Sequence, residues 1–553
     1  MTAVTTVDAE TVAEFTRRGW WGDRSVADHV AAQAARVPDR IAYLVGDVAL
    51  TWAEYDAQVD DLARVLTALL PRGARFGMLL PDGTEFHVAL CAAERSGTVA
   101  VGMGARSGRS EIHHLMTASG ARVLVMRPSH RGRSAREHLE ELRADGAAVD
   151  LLVEVDAAGS VRVVRAAADG YREEEPIRAD LAETRRRALG PNDLSMLNST
   201  SGTTGRPKLV TQFANRWLHF SELAFAAADF TEDDVMLGAV PGPFGFGLWT
   251  AHYAPAMLGM TTVLMERFDA DEMIHLLDRH RVTILACVAT QFKMMLDAPS
   301  LDRVGPLALR AMFTGGEAVS AERAAQFEDR VGAAVLQFYG SNESGAISAT
   351  TLRDSQERRL RTAGRVFPHV DMRLYDDAGR DITDTGGPGR PGVTGPTICL
   401  GYYGDPAADA ELFHDGHLMM PDLVEVDEEG YLRVVGRTTD LIIRGGKNIS
   451  AIEVEEVVEA HPSVVMASAV PVPDPLFGER IGVAVTLRAP LTLAGLVDAL
   501  TARGVSKHLF PERLVVLDEL PRAAGGKVAK GRVREIVAGC ESAETDLRDR
   551  GAA

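Results

Sequence analysis

Ser199–Lys208 reads STSGTTGRPK. Its ten residues hold two Ser, three Thr, two Gly, a Pro and a closing Lys. A short apolar run precedes it (Leu194, Met196, Leu197), and a helix-like segment from about Thr211 to Ala228 follows. A hydroxyl- and glycine-rich loop between a strand and a helix suits a polyphosphate. Glycines let backbone N–H groups approach closely, hydroxyls donate without bulk, and Lys208 adds positive charge. The spacing is not that of a Walker loop, which needs two glycines spaced by four and a Lys-Ser/Thr ending. A Gly/Ser linker would not contain Arg206-Pro207-Lys208.

The bulk properties bound what surrounds that loop. A chain of 553 residues exceeds what one hydrophobic core usually serves, so two or more domains are expected. Apolar residues make up 46% and charged residues 25%, ordinary for a soluble globular protein. No apolar run reaches the roughly 18 residues of a membrane span. The opening MTAVTTVDAETVAEF is acidic and lacks the apolar centre of a secretory signal. Cys91, Cys287, Cys399 and Cys540 lie far apart without paired spacing. They read as reduced, mostly buried thiols, which implies a cytoplasmic setting. A net charge of −19 argues against a nucleic-acid partner, whose phosphates need a basic surface. An anionic nucleotide then has to be held by local positive charge. Only six lysines occur, and three of them, Lys208, Lys447 and Lys527, fall inside glycine-flanked motifs.

The chain alternates strand and helix signals over most of its length. Residues 40–50 read as a hairpin, and Thr51-Trp-Ala-Glu54 as a capping box opening a helix whose apolar face holds Tyr55, Val59, Leu62, Val65, Leu66 and Leu69. Phe76–Leu80, a helix to about Ser96 and Val99–Val101 give a β-α-β cadence and hence a parallel sheet. The cadence returns in Val282–Cys287 before a helix near Gln291–Leu296, in Ala311–Phe313 before GGE, and in Ala334–Phe338 before YGSNESG. Glycine-bearing loops after strands are where open α/β sheets bind ligands. Arg131–Arg187, charged and poor in aromatics, reads as a surface excursion. From Asp371 short strands with turn signals suggest a small β subdomain before a hairpin at Val424–Val435. Ser450-Ala-Ile-Glu453 is a second capping box, followed by strands VVMASAV and GVAVTL and a helix near Leu491–Thr501. The expected organisation is α/β. A large N-terminal domain of α/β subdomains with parallel sheets and a small β subdomain (1–437) precedes a small mobile α+β C-terminal domain (438–553).

STSGTTGRPK resembles the phosphate-loop signature of the adenylate-forming superfamily of acyl-CoA synthetases, luciferases and peptide-synthetase adenylation domains. The resemblance extends, in order and spacing, through FTGGEAVS (Phe313–Ser320), YGSNESG (Tyr339–Gly345), Pro421–Asn448 and LPRAAGGKVAK (Leu520–Lys530). It covers residues 25 to 535 approximately and is closest to aryl or alicyclic acid–CoA ligases. Such enzymes activate a carboxylate with ATP to acyl-AMP, expelling pyrophosphate, and pass the acyl group to a thiol. Two anions must meet, so positioning and charge neutralisation dominate the catalytic task.

The resemblance implies the following roles. Thr200, Ser201, Gly202, Thr203, Thr204, Gly205 and Lys208 would hold the β- and γ-phosphates. Gly316, Glu317 and Ala318 would contact adenine, with Tyr339 and Asn342 also at the nucleotide. Asp422, assisted by Arg437, would accept hydrogen bonds from the ribose hydroxyls. Glu343 would bind Mg²⁺, and Lys527 would reach the carboxylate and α-phosphate oxygens. Phe244, Gly245, Phe246, Gly315, Gly340 and Ser341 would line the acyl pocket. Gly445 and Gly446 would line the pantetheine tunnel of CoA, and Thr439 would be the hinge of the C-terminal domain.

Three positions depart from the family pattern. Asn342 replaces a usual Thr, leaving its contact with phosphate open; Pro421 replaces a Gly; Thr439 stands where Asp or Lys is common. Gly245 occupies the place of the Asp that pairs a substrate ammonium in amino-acid-activating relatives. Without that carboxylate a buried ammonium is costly, so an α-amino acid is not expected. Phe244, Phe246 and Trp249, interleaved with glycines, favour a flat or compact apolar acid. The expected partners are a small carboxylic acid, ATP and CoA, and a homodimer is compatible with the reading. The rival readings are a stand-alone enzyme loading a carrier protein, transfer of an adenylate to a nitrogen nucleophile (including activation of nitrite), and a non-catalytic nucleotide-binding protein.

Overall fold

The structure is a computed structural model describing residues 5–167, 170–199, 207–317, 319–376, 378–437, 440–444, 447–523 and 527–540. Among the described residues two large sheets, of eight and nine strands, dominate. In the first, Leu151–Val155, Val123–Met126, Arg75–Leu79, Val99–Met103 and Met196–Ser199 run parallel. Every residue of Val99–Met103, Val123–Met126 and Leu151–Val155 is buried, the pattern of strands covered on both faces. In the second sheet Thr261–Leu264, Val235–Gly238, Ile284–Ala286, Ala311–Gly315 and Ala334–Ser341 are parallel, and the hairpin Ile41–Val45/Val48–Thr51 joins at one edge.

The local signals act as expected at several points. The Thr51 hydroxyl accepts from Glu54 N at 3.2 Å while the Glu54 carboxylate accepts from Thr51 N at 2.9 Å, opening the helix Trp52–Leu69. Tyr55, Val59, Leu62, Val65 and Leu66 are buried on its core face, with Leu69 partly buried at the end. Cys91, Cys287 and Cys399 are buried and Cys540 is half-buried. No helix among the described residues is long and apolar enough to cross a membrane.

Other expectations are corrected. Arg131–Arg187 is not a surface excursion. Leu151–Val155 joins the parallel core, Val161–Ala167 and Gly170–Glu174 extend it antiparallel, and Leu152, Val153, Val163 and Val164 are buried. Arg162, Arg165, Arg172 and Glu173 are exposed on the last two strands at that end of the sheet, and their charges mask the buried positions in the sequence. Thr211 does not begin a helix: Leu209–Gln212 is a strand returning antiparallel to Met196–Ser199, and the helix is Ala214–Ala228. The strand before SNESG runs to Ser341, so the expected loop is reduced to a tight turn before Gly345–Ala349.

A four-stranded antiparallel sheet and the hairpin Asp422–Val426/Leu432–Arg437 follow, as the turn-rich sequence from Asp371 implies. The small C-terminal domain packs the helices Ala451–Glu459, Leu493–Ala502 and Lys530–Gly539 on a five-stranded sheet. Ser450 caps the first of them by accepting from Glu453 N. Residues 438 and 439, which contain the expected boundary and the hinge Thr439, lie outside the described residues.

The site occupies the carboxyl ends of three strands. Met196–Ser199 leads into the phosphate-loop sequence, Ala311–Gly315 into GGE, and Ala334–Ser341 into Asn342-Glu343.

Candidate active site

The residues Thr200–Gly205, Ala318, Gly445 and Gly446 lie outside the described residues. The side chain of Arg437 is likewise not described, although its backbone pairs with Asp422 across the hairpin. The remaining expected residues converge on one cleft of about 2170 Å³ between the two domains.

At one end Lys208 leads into the strand Leu209–Gln212. Its ammonium lies 4.8 Å above the centre of the Tyr402 ring and 3.9 Å from the Glu411 carboxylate. The Tyr402 hydroxyl donates to Glu343 Oε1 at 2.9 Å. Burial, then the neighbouring Glu343 charge, push the Tyr402 phenol upward, so it is held as a donor. Two charged residues 135 positions apart thus meet on one aromatic ring that the sequence reading had not named.

Glu343 sits in a turn braced from below. Ser341 Oγ accepts from Glu343 N at 3.2 Å, and Cys399 N donates to Glu343 O at 2.8 Å. The fully buried Arg216 donates to Asn342 O at 3.0 Å, Glu343 O at 2.9 Å and Thr397 O at 2.8 Å. It also donates to Thr211 O and to Gln212 Oε1, so its planar fork ties strand, turn and loop together. Burial holds the Arg216 pKa below the ordinary guanidinium value.

Asn342 is explained by its neighbours. Its amide donates to Asn198 Oδ1 at 2.8 Å and accepts from Asn198 Nδ2 at 2.9 Å, a reciprocal carboxamide pair. Gln212 Nε2 donates to Asn198 Oδ1 at 2.7 Å, and Asn198 Nδ2 also reaches Pro243 O at 2.9 Å. The amide therefore joins the phosphate-loop strand to the Glu343 turn and to the acyl segment. None of Asn198, Gln212 and Arg216 was singled out in the sequence, because generic polar residues carry no spacing signal.

On the opposite side the Tyr339 hydroxyl donates to Asp422 Oδ2 at 3.0 Å, with both residues buried. Gly316 adopts φ +75°. A Cβ built there would fall 2.5 Å from Lys527 Nζ, so the lysine of the C-terminal domain passes directly over this glycine. The Glu317 carboxylate is engaged by Thr290 N at 3.0 Å, at the start of the helix Ala289–Asp297.

The acyl wall is aromatic. Phe244, Gly245 and Phe246 line the cleft together with Trp217, Phe220, Phe338, Gly315, Gly340 and Ser341. Trp249 does not line it. Its side chain is buried behind the wall, edge-on to Phe313 and Phe338, whose rings stack 5.1 Å apart. The reason is local: Trp249–Tyr253 is a π-helical turn after the short helix Gly245–Leu248, and the ring turns into the core. A Cβ on Gly245 would lie 2.6 Å from Trp217 Cη2 and 3.0 Å from Asn342 Oδ1.

Comparison with known proteins identifies the ensemble. A family profile described as AMP-binding enzyme matches residues 30–403, and another, AMP-binding enzyme C-terminal domain, matches residues 453–527. The chain belongs to the AMP-binding enzyme family. The salicyl-AMP ligase / salicyl-S-ArCP synthetase of Mycobacterium tuberculosis (strain ATCC 25618 / H37Rv) is 30% identical over 536 residues, 94% of this chain and 92% of that protein. A feruloyl-CoA synthase of Amycolatopsis sp is 31% identical over 511 residues, 91% of this chain and 97% of that one. The o-succinylbenzoate CoA synthetase of Bacillus subtilis, solved with its acyl-adenylate intermediate, superposes with a TM-score of 0.76 at 26% identity. That superposition covers 93% of this chain and 98% of the other. This AMP-binding enzyme is an AMP-forming acid–thiol ligase of the adenylate-forming type, from a family that takes a carboxylic acid, ATP and CoA or a carrier protein.

Proposed function

We propose that the enzyme converts an aromatic or alicyclic carboxylic acid to acyl-AMP and then to its CoA thioester. Gly245 carries the substrate class. With Trp217 and Asn342 packed where its side chain would project, no carboxylate fits at that position to pair a substrate ammonium. A buried ammonium without a partner is strongly disfavoured. Trp217, Phe220, Phe244, Phe246 and Phe338 offer flat apolar faces instead.

In the first half-reaction a carboxylate oxygen attacks the α-phosphorus and pyrophosphate leaves. In the second, the thiol loses its proton, its sulfur attacks the acyl carbon, and AMP departs. Thr200–Gly205 and Lys208 are assigned to the β- and γ-phosphates, and Gly316, Glu317 and Ala318 to adenine. Glu317 acts there through its backbone, since its carboxylate holds Thr290. The Tyr339–Asp422 pair, with Arg437, is assigned to the ribose. Lys527 is assigned to the oxygens of the meeting anions, where an ammonium on a flexible stem offsets their repulsion.

Glu343 fits Mg²⁺. No group of three or more His, Cys, Asp or Glu that could hold a metal occurs among the described residues. A lone carboxylate suits an ion that takes its other ligands from phosphate oxygens and water. When bound, the ion neutralises phosphate charge. We further assign the domain boundary to residue 438, the hinge to Thr439, the pantetheine tunnel to Gly445-Gly446 and the enzyme to the cytoplasm as a possible homodimer.

A carrier-protein pantetheine in place of CoA is the second reading, favoured by the similarity to the salicyl-S-ArCP synthetase. Acid-dependent pyrophosphate release over substituted benzoates, cinnamates, cyclohexane carboxylates and α-amino acids tests the pocket. The aromatic or alicyclic acids are expected to drive it and the amino acids not. Faster release with any proteinogenic amino acid overturns the assignment. Thioester formation with CoA against a pantetheinylated carrier separates the two acceptors.

A further inference from the structure

Tyr402 belongs to none of the motifs that point to the site, yet it touches two of the groups assigned to the nucleotide. Its backbone is fixed beside the strand carrying Lys208. Tyr402 N donates to Asp409 Oδ1 at 2.6 Å, Tyr403 N donates to Leu209 O at 2.7 Å, and Val210 and Tyr402 form a bridge. From that anchor the hydroxyl reaches Glu343 Oε1 at 2.9 Å, while the ring face lies 4.8 Å beneath the Lys208 ammonium.

The two contacts act on different charges. The hydroxyl fixes one carboxylate oxygen, Oε1, and so restricts the orientation of the carboxyl group. The ring holds the lysine by cation–π attraction, which is not lost when the hydroxyl is removed. Carboxylates that ligate metals are oriented by hydrogen bonds of this kind, and losing such a partner typically weakens metal affinity by about 10- to 100-fold.

We propose that Tyr402 is a positioning residue that orients the Glu343 carboxylate for the divalent cation with its hydroxyl and steadies Lys208 for the polyphosphate with its ring. The proposal rests on the assignment of Glu343 to Mg²⁺. It divides Tyr402 into two separable functions, and the division is what distinguishes positioning from packing. Loss of packing alone would shift stability without changing the Mg²⁺ dependence of nucleotide binding.

The test measures ATP binding by thermal shift and calorimetry on the full chain, without acid substrate, over a Mg²⁺ titration. Tyr402→Phe, Tyr402→Leu and Glu343→Gln are compared with wild type. Tyr402→Phe keeps the ring, so binding of ATP in EDTA is expected to be unchanged while the Mg²⁺ concentration at half-effect rises about tenfold. Tyr402→Leu is expected to show the same Mg²⁺ defect and, in addition, several-fold weaker binding of ATP in EDTA. Glu343→Gln is expected to lose the Mg²⁺ response while retaining the EDTA affinity. A wild-type titration for Tyr402→Phe beside a defective Glu343→Gln overturns the role of the hydroxyl alone. A wild-type titration for Glu343→Gln overturns the metal assignment and this proposal together. Because the phenylalanine variant removes one oxygen and keeps the packing, it remains informative even where the leucine variant fails to fold.

Discussion

The two walls of the cleft are built by different forces. On the N-terminal side, polar side chains are fixed to one another in the interior: Asn198 to Asn342, Gln212 to Asn198, Arg216 to the Asn342-Glu343 backbone, Tyr339 to Asp422. Such groups cost free energy unless every partner is in place, so the arrangement is rigid and defined before substrate arrives. On the C-terminal side, Ala523 N donates to Lys527 O at 2.8 Å. Two ion pairs join this domain to the helix Ala289–Asp297, and its own helix Ala451–Glu459 also lies against the strand Leu432–Arg437. Lys293 pairs Glu459 at 2.6 Å, and Arg488 pairs Asp297 at 2.7 Å. Ion pairs separate and re-form more readily than interlocked buried amides, so preorganisation belongs to the first wall, and the movement proposed for the C-terminal domain would fall to the second.

The strongest challenge to that contrast is Lys527→Ala. Removing one preorganised donor of this kind costs about 3 kcal/mol, a fall of roughly 10²–10³ in the adenylation rate. Global stability is expected to change by no more than about 0.5 kcal/mol, because Lys527 is only half-buried. Conversion of separately supplied acyl-AMP to thioester is expected near the wild-type rate. Equal damage to both half-reactions, with an intact circular dichroism spectrum, would merge the two walls into one static site.

Glu459→Gln sharpens the same contrast more gently. Its carboxylate and the Lys293 ammonium are both nearly buried, at 7% and 9% side-chain exposure. Breaking one partner of a buried pair costs about 3 kcal/mol or more, and the glutamine amide that stays at the site offsets part of that loss. Here that loss falls on the docked position of the C-terminal domain, so adenylation is expected to drop while the thioester step is preserved. If the variant instead lowers the melting temperature and leaves the ratio of the half-reactions untouched, the pair serves stability only.

The smallest effect concerns the rigid wall. Asn342→Ala strips Asn198 of its reciprocal partner and is expected to destabilise the N-terminal domain by about 1–3 kcal/mol. Chemical denaturation reads that loss. Both half-reactions should fall together, by less than Lys527→Ala lowers the first. A selective defect in one of them would count against a rigid wall.

Much of this was legible in the sequence, for a physical reason. Capping boxes, apolar periodicity and glycine turns are local, and Thr51-Glu54, the β-α-β cadence and Gly316 announce themselves within a few residues. Glu343, Asp422 and Lys527 were singled out because each sits in a motif, and all three line the cleft. Tyr402, Arg216, Gln212 and Asn198 were not, since their meaning lies in partners 14 to 144 positions away. One signal for Tyr402 was available: two consecutive tyrosines after Gly401 in a chain with only nine. The segment Arg131–Arg187 misled because exposed charges surround Val163 and Val164, which are buried in the two cores on opposite faces of the sheet. Trp249 misled because it was read with Phe244 and Phe246 as one aromatic segment, whereas its ring is buried against Phe313 and Phe338.

Gly316 has a consequence of another kind. The lysine crosses it at a height that leaves no room for even one methyl group. A side chain there would carry the strain of a left-handed backbone and would push the flexible tip of Lys527 out of its place above the cleft, with the rest of the C-terminal domain free to stay where it is.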